Sequence, residues 1–357
     1  MRIALVSTPF VPVPPRDYGG TELVVYELAE GLLRRGHDVV VFATGDSRTR
    51  ARLRALYPQA VWPPEVYAEL NHATWAARSI LADDGFDLVH AHVPAALAAT
   101  RVLDGVPVVY TLHHERVAAL SSYYEWFPEV YFVAISENQC RSATPLPRVE
   151  VIHHGVDPSP YQCVPRPRDY VCFLGRLARV KGVHVVIDVA ARAGLPIRLA
   201  GSVHPEDEAW ARRTLTRRLA APNVTSVGCV GLGRKVPLLR DARALLAPIA
   251  WDEPFGLALV EAMLSGCPVV AFERGSVPEL VEPGVTGFIA RSPAHMAEII
   301  RVGGVLDDFD RHRCRERAIE RFSHRRMVRD YERLYERILS RHPATGDRGQ
   351  RRRLHVA

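Results

Sequence analysis

Strand-like and helix-like stretches alternate along this chain. Short apolar runs rich in β-branched residues occupy positions 2–7, 39–42 and 87–91, and apolar residues within 21–35 recur at helical spacing. Alternation of this kind predicts an α/β fold with a parallel sheet and helices on both of its faces. Further strand candidates in this half lie at 107–111, 131–135 and 149–153.

A proline-rich stretch interrupts the alternation near the middle of the chain. Residues 157–169 contain four prolines, and each proline removes a backbone donor and restricts the residue before it. Because the alternation resumes at Tyr170, two Rossmann-like domains are predicted, 1–160 and 161–322. Neither half contains the GxGxxG pattern of dinucleotide-binding proteins. The later strand candidates lie at 197–200, 224–227, 244–247, 268–272 and 287–290.

The C-terminal region divides into an amphipathic helix and a basic tail. Apolar residues from Met327 to Ile338 recur at helical spacing, which predicts a helix over 323–340. Residues 341–357 contain five arginines and one aspartate, so they contribute +4 to the net charge of +6, and they are predicted to be disordered. A nucleic-acid partner is not expected, because basic residues interleaved with aromatics are not found.

The composition is that of an ordinary globular protein. Apolar residues make up 48% and charged residues 24% of the chain, and no window reaches eighteen apolar residues, so membrane association is not expected. The six cysteines form no CxxC pair, which favours reduced thiols over a zinc site or a disulfide framework. The first strand leaves no room for a signal peptide, and a cytoplasmic location is expected.

Residues 175–182, between a strand-like and a helix-like run, have the composition of an anion site. They place Arg176 and Lys181 beside the backbone N–H groups of a helix start. Only two of the 46 basic residues are lysines, and a compact ammonium pairs with phosphate as a point charge. Lys181 is therefore a predicted phosphate ligand, whereas nothing near the other lysine, Lys235, indicates a role.

Two carboxylates, Glu253 and Glu261, lie on either side of a Pro-Phe-Gly helix-entry pattern. Glu253 would precede the helix and Glu261 would lie about two turns into it. Carboxylates accept hydrogen bonds from hydroxyls, and the first N–H groups of the helix, at Phe255, Gly256 and Leu257, would face a phosphate. Combined with the anion loop at 175–182, this pattern predicts a nucleotide-sugar site.

Glycines and histidines mark two loops at the ends of N-terminal strands. Gly19 and Gly20 precede a helix and allow the backbone to approach a ligand. His113 follows the strand at 107–111, where an imidazole could donate a hydrogen bond or carry a proton. His90 and His92 share one face of a strand; a structural or supporting role is preferred there to a metal pair, which lacks an evident third ligand.

These motifs together resemble the bacterial family-4-type retaining glycosyltransferases, whose GT-B fold has two Rossmann-like domains facing across a cleft. The resemblance extends from residue 1 to about residue 340. His154 departs from the family pattern, which has asparagine there, and Arg274 departs from a usual glycine. The matching segments are the diphosphate loop at 175–182, the Glu-x7-Glu motif at 253–261, the Gly-Gly loop at 18–22, the histidine segment at 111–113, and the segments 152–157 and 274–279.

The resemblance implies a role for each site residue. Arg176 and Lys181 would neutralise the donor diphosphate as it leaves, so no cofactor and no obligatory metal are expected. Glu261 would hold the ribose hydroxyls, and Glu253 would hold hydroxyls of the donor sugar. His113 would hydrogen-bond the donor sugar or support charge near its anomeric carbon. Backbone contacts to the donor would come from Gly19, Gly20, Phe255, Gly256 and Leu257, and the helix at 323–340 would pack back on the N-terminal domain.

The predicted activity is transfer of a hexosyl group, with retention of configuration, from a nucleoside-diphosphate sugar to a hydroxyl acceptor. The family slightly favours uridine diphosphate as the carrier, with guanosine diphosphate as the second choice. The expected acceptor is a natural product, as in antibiotic biosynthesis, or a glycan precursor. Two alternatives stay open, a nucleotide-sugar epimerase on the same fold and a non-catalytic sugar-nucleotide-binding protein. A lipid acceptor is disfavoured, since the arginine-rich segment 48–54 offers little apolar area.

Overall fold

The computed structural model describes residues 1–342 apart from 18, 84, 102, 104, 116 and 142–144, and two parallel sheets organise this part of the chain. The strands of the first sheet are β1 (Arg2–Val6), β2 (Asp38–Ala43), β3 (Arg52–Ala55), β4 (Leu88–Ala91), β5 (Val108–Thr111), β6 (Tyr131–Ala134) and β7 (Val149–Val151). Their order is β3-β2-β1-β4-β5-β6-β7. The order reverses between β1 and β4, where a doubly wound sheet opens its binding crevice.

The second sheet has the same topology and one strand fewer among the described residues. Its strands are β8 (Val171–Leu174), β9 (Ile197–Ala200), β10 (Val224–Gly228), β11 (Ala244–Ala247), β12 (Val269–Phe272) and β13 (Gly287–Ala290). They lie in the order β10-β9-β8-β11-β12-β13, and every pair is parallel. The reversal falls between β8 and β11, so the loops after these two strands are neighbours.

Helices cover both faces of each sheet. Those of the first half are α1 (Gly20–Arg34), α2 (Val66–Ala82), α3 (Ala118–Tyr124) and α4 (Glu137–Arg141), with a 3-10 helix at Pro94–Ala99. Those of the second half are α5 (Val183–Arg192), α6 (Glu208–Thr214), α7 (Thr216–Leu219), α8 (Leu232–Asp241), α9 (Leu257–Leu264), α10 (Val277–Leu280), α11 (Pro293–Ile300), α12 (Arg311–Phe322) and α13 (His324–Arg341), with a 3-10 helix at Pro205–Asp207.

The predicted fold class is confirmed, because the apolar runs chosen from the sequence form the central strands. Strands β1, β4, β5 and β11 are buried almost throughout, as expected for strands that are covered on both faces. The pattern missed β3, whose sequence Arg-Leu-Arg-Ala alternates at the exposed edge of the first sheet. Within the described residues, no helix has the length and apolar character that crossing a membrane requires.

The last helix crosses back to the first sheet. Met327, Tyr331 and Tyr335 of α13 are fully buried in the apolar core formed by β1, β2 and α1. The contact is close: a Cβ on Gly31 of α1 would lie 2.3 Å from a methyl carbon of Val328. Helix α13 therefore ties the end of the second half to the first domain. Two predicted features, Tyr18 of the Gly-Gly loop and the tail beyond residue 342, lie outside the described residues.

Candidate active site between the two domains

A cavity of about 130 Å³ lies between the domains, where the central strands of the second sheet end. The first domain contributes the loop that precedes α1, and the second contributes the loops after β8 and β9 and the start of α9. This is the position at which open α/β sheets bind ligands. The lining residues are Pro15, Asp17, Gly19, Gly20, Leu23, Leu174, Gly175, Arg176, Ala200, Gly201, Ser202, His204, Cys229, Val230, Lys235, Leu257, Ala258 and Glu261.

Two helix N-termini from different domains open onto this cavity. Helix α1 follows Gly19 and helix α9 follows Gly256, and among the described residues no side chain caps either of them. A Cβ on Gly20 would lie 3.3 Å from Leu257, so the two helix starts are in contact across the cleft. The first N–H groups of a helix have no partner within it and carry a partial positive charge. The cavity therefore presents converging donors suited to an anion.

Arg176 reaches the cavity from the loop after β8. Its guanidinium donates a 2.5 Å hydrogen bond to Glu206, and it lies 3.6 Å from a carboxylate oxygen of Asp207. The loops after β8 and β9 touch, since a Cβ on Gly201 would lie only 1.9 Å from the carbonyl oxygen of Gly175. Arg176, one of the two cations predicted to bind the diphosphate, thus lines the cavity. It is already paired with two acids that a bound anion would have to replace.

Lys181 and Glu253, which come from two separate sequence motifs, form an ion pair. The ammonium also lies 4.8 Å from the ring centroid of Trp251, whose indole N–H donates to Glu253 at 2.9 Å. The loops after β8 and β11 meet here because these strands are neighbours in the sheet. The structure therefore brings together the cationic and acidic halves of the predicted site.

Glu261 accepts hydrogen bonds from two residues for which the sequence pattern predicted no role. Lys235 of α8 forms an ion pair with Oε1 of Glu261, and the hydroxyl of Tyr161 donates to the same oxygen at 2.7 Å. Each of the two lysines in the chain thus pairs with one glutamate of the Glu-x7-Glu motif. The scarcity of lysine was a usable signal for Lys235; Tyr161, inside the proline-rich linker, offered none.

A cluster of histidines connects His113 to the second domain. His113 and His92 share a hydrogen bond of 2.8 Å between Nε2 and Nδ1. The ring of His154 stacks on that of His113 at 5.2 Å and meets the ring of Phe255 edge-on at 5.1 Å. His113, which is partly exposed, therefore lies close to the segment that follows Glu253. His114, its neighbour in sequence, is exposed.

The imidazoles of His90, His92, His113 and His154 are held in the neutral form. Burial lowers the pKa of His90, His92 and His113 well below the ordinary value, and neighbouring imidazoles lower it further. Burial lowers the pKa of His154 to about 3. His90 uses both ring nitrogens, with Tyr335 at 2.6 Å and Thr111 at 2.8 Å, so it is a structural residue and not half of a metal pair.

The domains are also joined beside the cavity. The carboxylate of Glu279 accepts hydrogen bonds from the backbone N–H groups of Glu137 and Asn138, at 2.7 and 2.6 Å, where α4 begins. His153 lies 3.2 Å from the same carboxylate. Burial alone would raise the pKa of Glu279, but these hydrogen bonds outweigh it and lower the pKa. A carboxylate of the second domain thus caps a helix of the first domain.

Family comparisons agree with this architecture. Residues 18–160 match the family model described as Glycosyltransferase Family 4, and residues 164–321 match the model described as Glycosyl transferases group 1. The two models cover the two halves of one protein type, and the chain belongs to these family 4, group 1 glycosyltransferases, as its motifs predicted. Among curated proteins, it is 25% identical to the alpha-maltose-1-phosphate synthase of Mycolicibacterium smegmatis, with 95% of this chain and 100% of that protein covered.

Solved structures with the same fold span almost the whole chain. AviGT4, a glycosyltransferase involved in avilamycin A biosynthesis, is 24% identical with a TM-score of 0.71, covering 95% of this chain and 98% of that one. Anabaena HepE, solved in complex with UDP-glucose, is 20% identical with a TM-score of 0.75, covering 94% and 100%. These similarities establish the GT-B fold, with two Rossmann-like domains.

Proposed function

We propose that this glycosyltransferase moves a hexosyl group from a nucleoside-diphosphate sugar to a hydroxyl acceptor with retention of configuration. Uridine diphosphate is the favoured carrier and guanosine diphosphate the second choice. The observation that supports the proposal most strongly is the meeting of two uncapped helix N-termini, α1 and α9, at a cavity that also contains Arg176 and Glu261. Such a site suits a diphosphate that is joined to a ribose.

The two cations would exchange their acidic partners for the diphosphate. Arg176 would leave Glu206, whose side chain is 59% exposed and readily solvated, and would contact the leaving phosphate. Lys181 would turn from Glu253 towards the β-phosphate. This frees a Glu253 oxygen to accept a hydrogen bond from a hydroxyl of the donor sugar. Positive charge then lies where negative charge develops in the transition state, and no metal is required for that task.

The transfer step can be written with residues already in place. The bond from the anomeric carbon to the diphosphate oxygen breaks, and the acceptor oxygen bonds to the same face of that carbon. The acceptor proton passes to the departing phosphate oxygen. His113 is neutral at physiological pH because its pKa is lowered, so its imidazole would donate or accept a hydrogen bond at the sugar without repelling the developing positive charge.

The relatives support this choice of substrates. HepE holds UDP-glucose in a structure with the same fold, and AviGT4 takes part in the biosynthesis of a natural product. By analogy, a UDP-hexose is the first donor to test and a natural-product or glycan hydroxyl the first acceptor class. Since these chains are at most 24% identical to this one, the analogy guides only the choice of substrates, and the proposed activity rests on the cavity residues.

The decisive experiment is a transfer assay with UDP-hexoses and a panel of hydroxyl acceptors, in the presence of EDTA. We expect a glycoside whose anomeric configuration, read by proton NMR, matches that of the donor. Lys181→Ala should lower turnover at least about a hundredfold, in line with the loss of a transition-state charge contact. Arg179→Ala, which removes an exposed cation from the same loop, is the matched control and should change turnover less than twofold.

Other outcomes would identify the alternatives. An epimerised sugar released from donor alone would support the epimerase. Tight binding of UDP without turnover on any acceptor would support a binding protein. A product of inverted configuration would contradict the retaining mechanism, and complete loss of turnover in EDTA would contradict the metal-free one.

A further inference from the structure

Three residues from three separate elements converge at the nucleotide end of the cavity. Tyr161 lies in the proline-rich linker between the two sheets, Lys235 lies in the first turn of α8, and Glu261 lies in the second turn of α9. Tyr161 is 2% exposed and Glu261 is 4% exposed, while Lys235 and Glu261 both line the cavity. A buried carboxylate that faces a cavity and has two dedicated donors is an assembled feature of the site.

Both donors bind the same carboxylate oxygen. The ammonium of Lys235 and the hydroxyl of Tyr161 each donate to Oε1 of Glu261, and within the described residues no group donates to Oε2. A carboxylate oxygen has two lone pairs, so these two donors fully occupy Oε1. The terminal torsion of a glutamate is otherwise broad, and two fixed donors on one oxygen hold the carboxylate plane in place. Oε2 is the oxygen that remains for a ligand.

We propose that Tyr161 and Lys235 are positioning residues that aim Oε2 of Glu261 at the ribose hydroxyls of the nucleotide. The inference deepens the proposed function and rests on it, since it names how the site would recognise a ribonucleotide. Because Tyr161 lies in the linker between the domains, recognition of the ribose would depend on the conformation of that linker. Burial and the neighbouring Glu261 carboxylate raise the pKa of Tyr161 far above its ordinary value, so its hydroxyl remains a donor throughout the useful pH range.

The test compares two ligands on two variants. Isothermal titration calorimetry would measure the affinity of UDP and of 2′,3′-dideoxy-UDP for wild type, Tyr161→Phe and Lys235→Met. If the pair orients Glu261, either substitution should weaken UDP by about tenfold, the usual effect of losing a hydrogen bond to a charged group. Tyr161→Phe should change the affinity of dideoxy-UDP less than twofold, because that ligand has no ribose hydroxyls for Glu261 to recognise. Lys235→Met also removes a cation from the cavity, so it should weaken both ligands but UDP more than dideoxy-UDP.

Matched controls separate positioning from general damage. Tyr170→Phe removes another tyrosine hydroxyl of the same domain, one that donates to the carbonyl of Leu238 at 2.8 Å. Arg234→Met removes the exposed cation next to Lys235. Both should leave the two affinities within twofold of wild type. Lys235→Arg keeps the charge on α8 and should retain most of the preference for UDP over dideoxy-UDP.

The outcomes distinguish this inference from the proposed function. Equal weakening of UDP and dideoxy-UDP by Tyr161→Phe would overturn the positioning role and leave the nucleotide site intact. A wild-type protein that binds UDP and dideoxy-UDP equally would also overturn it. Failure of wild type to bind either UDP or GDP would overturn the proposed donor site, and the inference with it.

Discussion

Replacing Glu27 by glutamine should stabilise the protein at alkaline pH. Glu27 lies on α1, is 5% exposed, and accepts a hydrogen bond of 3.1 Å from the backbone N–H of Asp157, where the interdomain linker begins. Burial raises its pKa from 4.5 to about 7. The carboxyl group is therefore favoured in its protonated form in the folded protein, and ionising it works against folding.

The magnitude follows from the difference between the folded and unfolded pKa. Between pH 4.5 and 7 the folded state binds the proton more tightly, so this group's contribution to stability is complete below pH 4.5 and is lost as pH rises through 7. The loss at pH 8 is about 3 kcal/mol, and at pH 5 it is less than about 1 kcal/mol. Glutamine keeps the acceptor for Asp157 and cannot ionise. Glu27→Gln should therefore gain about 3 kcal/mol at pH 8.

Scanning calorimetry at pH 5 and pH 8 would measure the effect. For a chain of this size, about 3 kcal/mol corresponds to a rise in Tm of roughly 4 °C at pH 8, with a change of about 1 °C at pH 5. Glu30→Gln is the control from the same helix. Glu30 accepts three hydrogen bonds from Thr49 and Arg50, and these lower its pKa, so its replacement should lower Tm at both pH values. Equal changes in Tm for Glu27→Gln at pH 5 and pH 8 would show that ionisation of Glu27 does not limit the stability of the folded protein.

Two further predictions concern contacts between the domains. Glu279→Ala removes the cap on α4, so we expect a larger radius of gyration by X-ray scattering and at least about fivefold lower kcat/KM. The control is Glu282→Ala, which removes a partner of Arg317 and should change neither the radius of gyration nor kcat/KM. Unchanged scattering for Glu279→Ala would contradict this. Gly31→Ala would place a methyl group against the branched side chain of Val328 and should destabilise the protein by about 1–3 kcal/mol. Gly233 has open space around it, so Gly233→Ala should not destabilise the protein. Equal unfolding midpoints for the two glycine variants would exclude the predicted clash.

The fold and half of the site could be predicted because both depend on local pattern and sheet topology. Short apolar runs that alternate with longer helical segments favour covered parallel strands, and the loops after neighbouring parallel strands lie at the same edge of the sheet. The proximity of Lys181 to Glu253 follows from this, since β8 and β11 are neighbours and each residue lies in a loop that follows one of them. Strand β3 was missed because its edge position leaves its arginines exposed and removes the apolar signal.

The other half of the site depends on packing that no local pattern encodes. Lys235 reaches Glu261 only because α8 lies beside α9, and Tyr161 reaches it only because the linker packs against α9. The pairing of His113 with His92 and its stacking on His154 depend on three different strand ends. Such contacts are set by helix placement and loop path, which apolar spacing leaves undetermined.

A crystal structure of the complex with UDP is the strongest test of the proposed donor site. We expect the diphosphate between the starts of α1 and α9, in contact with Arg176 and Lys181, with the ribose on Oε2 of Glu261. UDP bound elsewhere, or bound in the cleft with its diphosphate away from both helix N-termini, would contradict it.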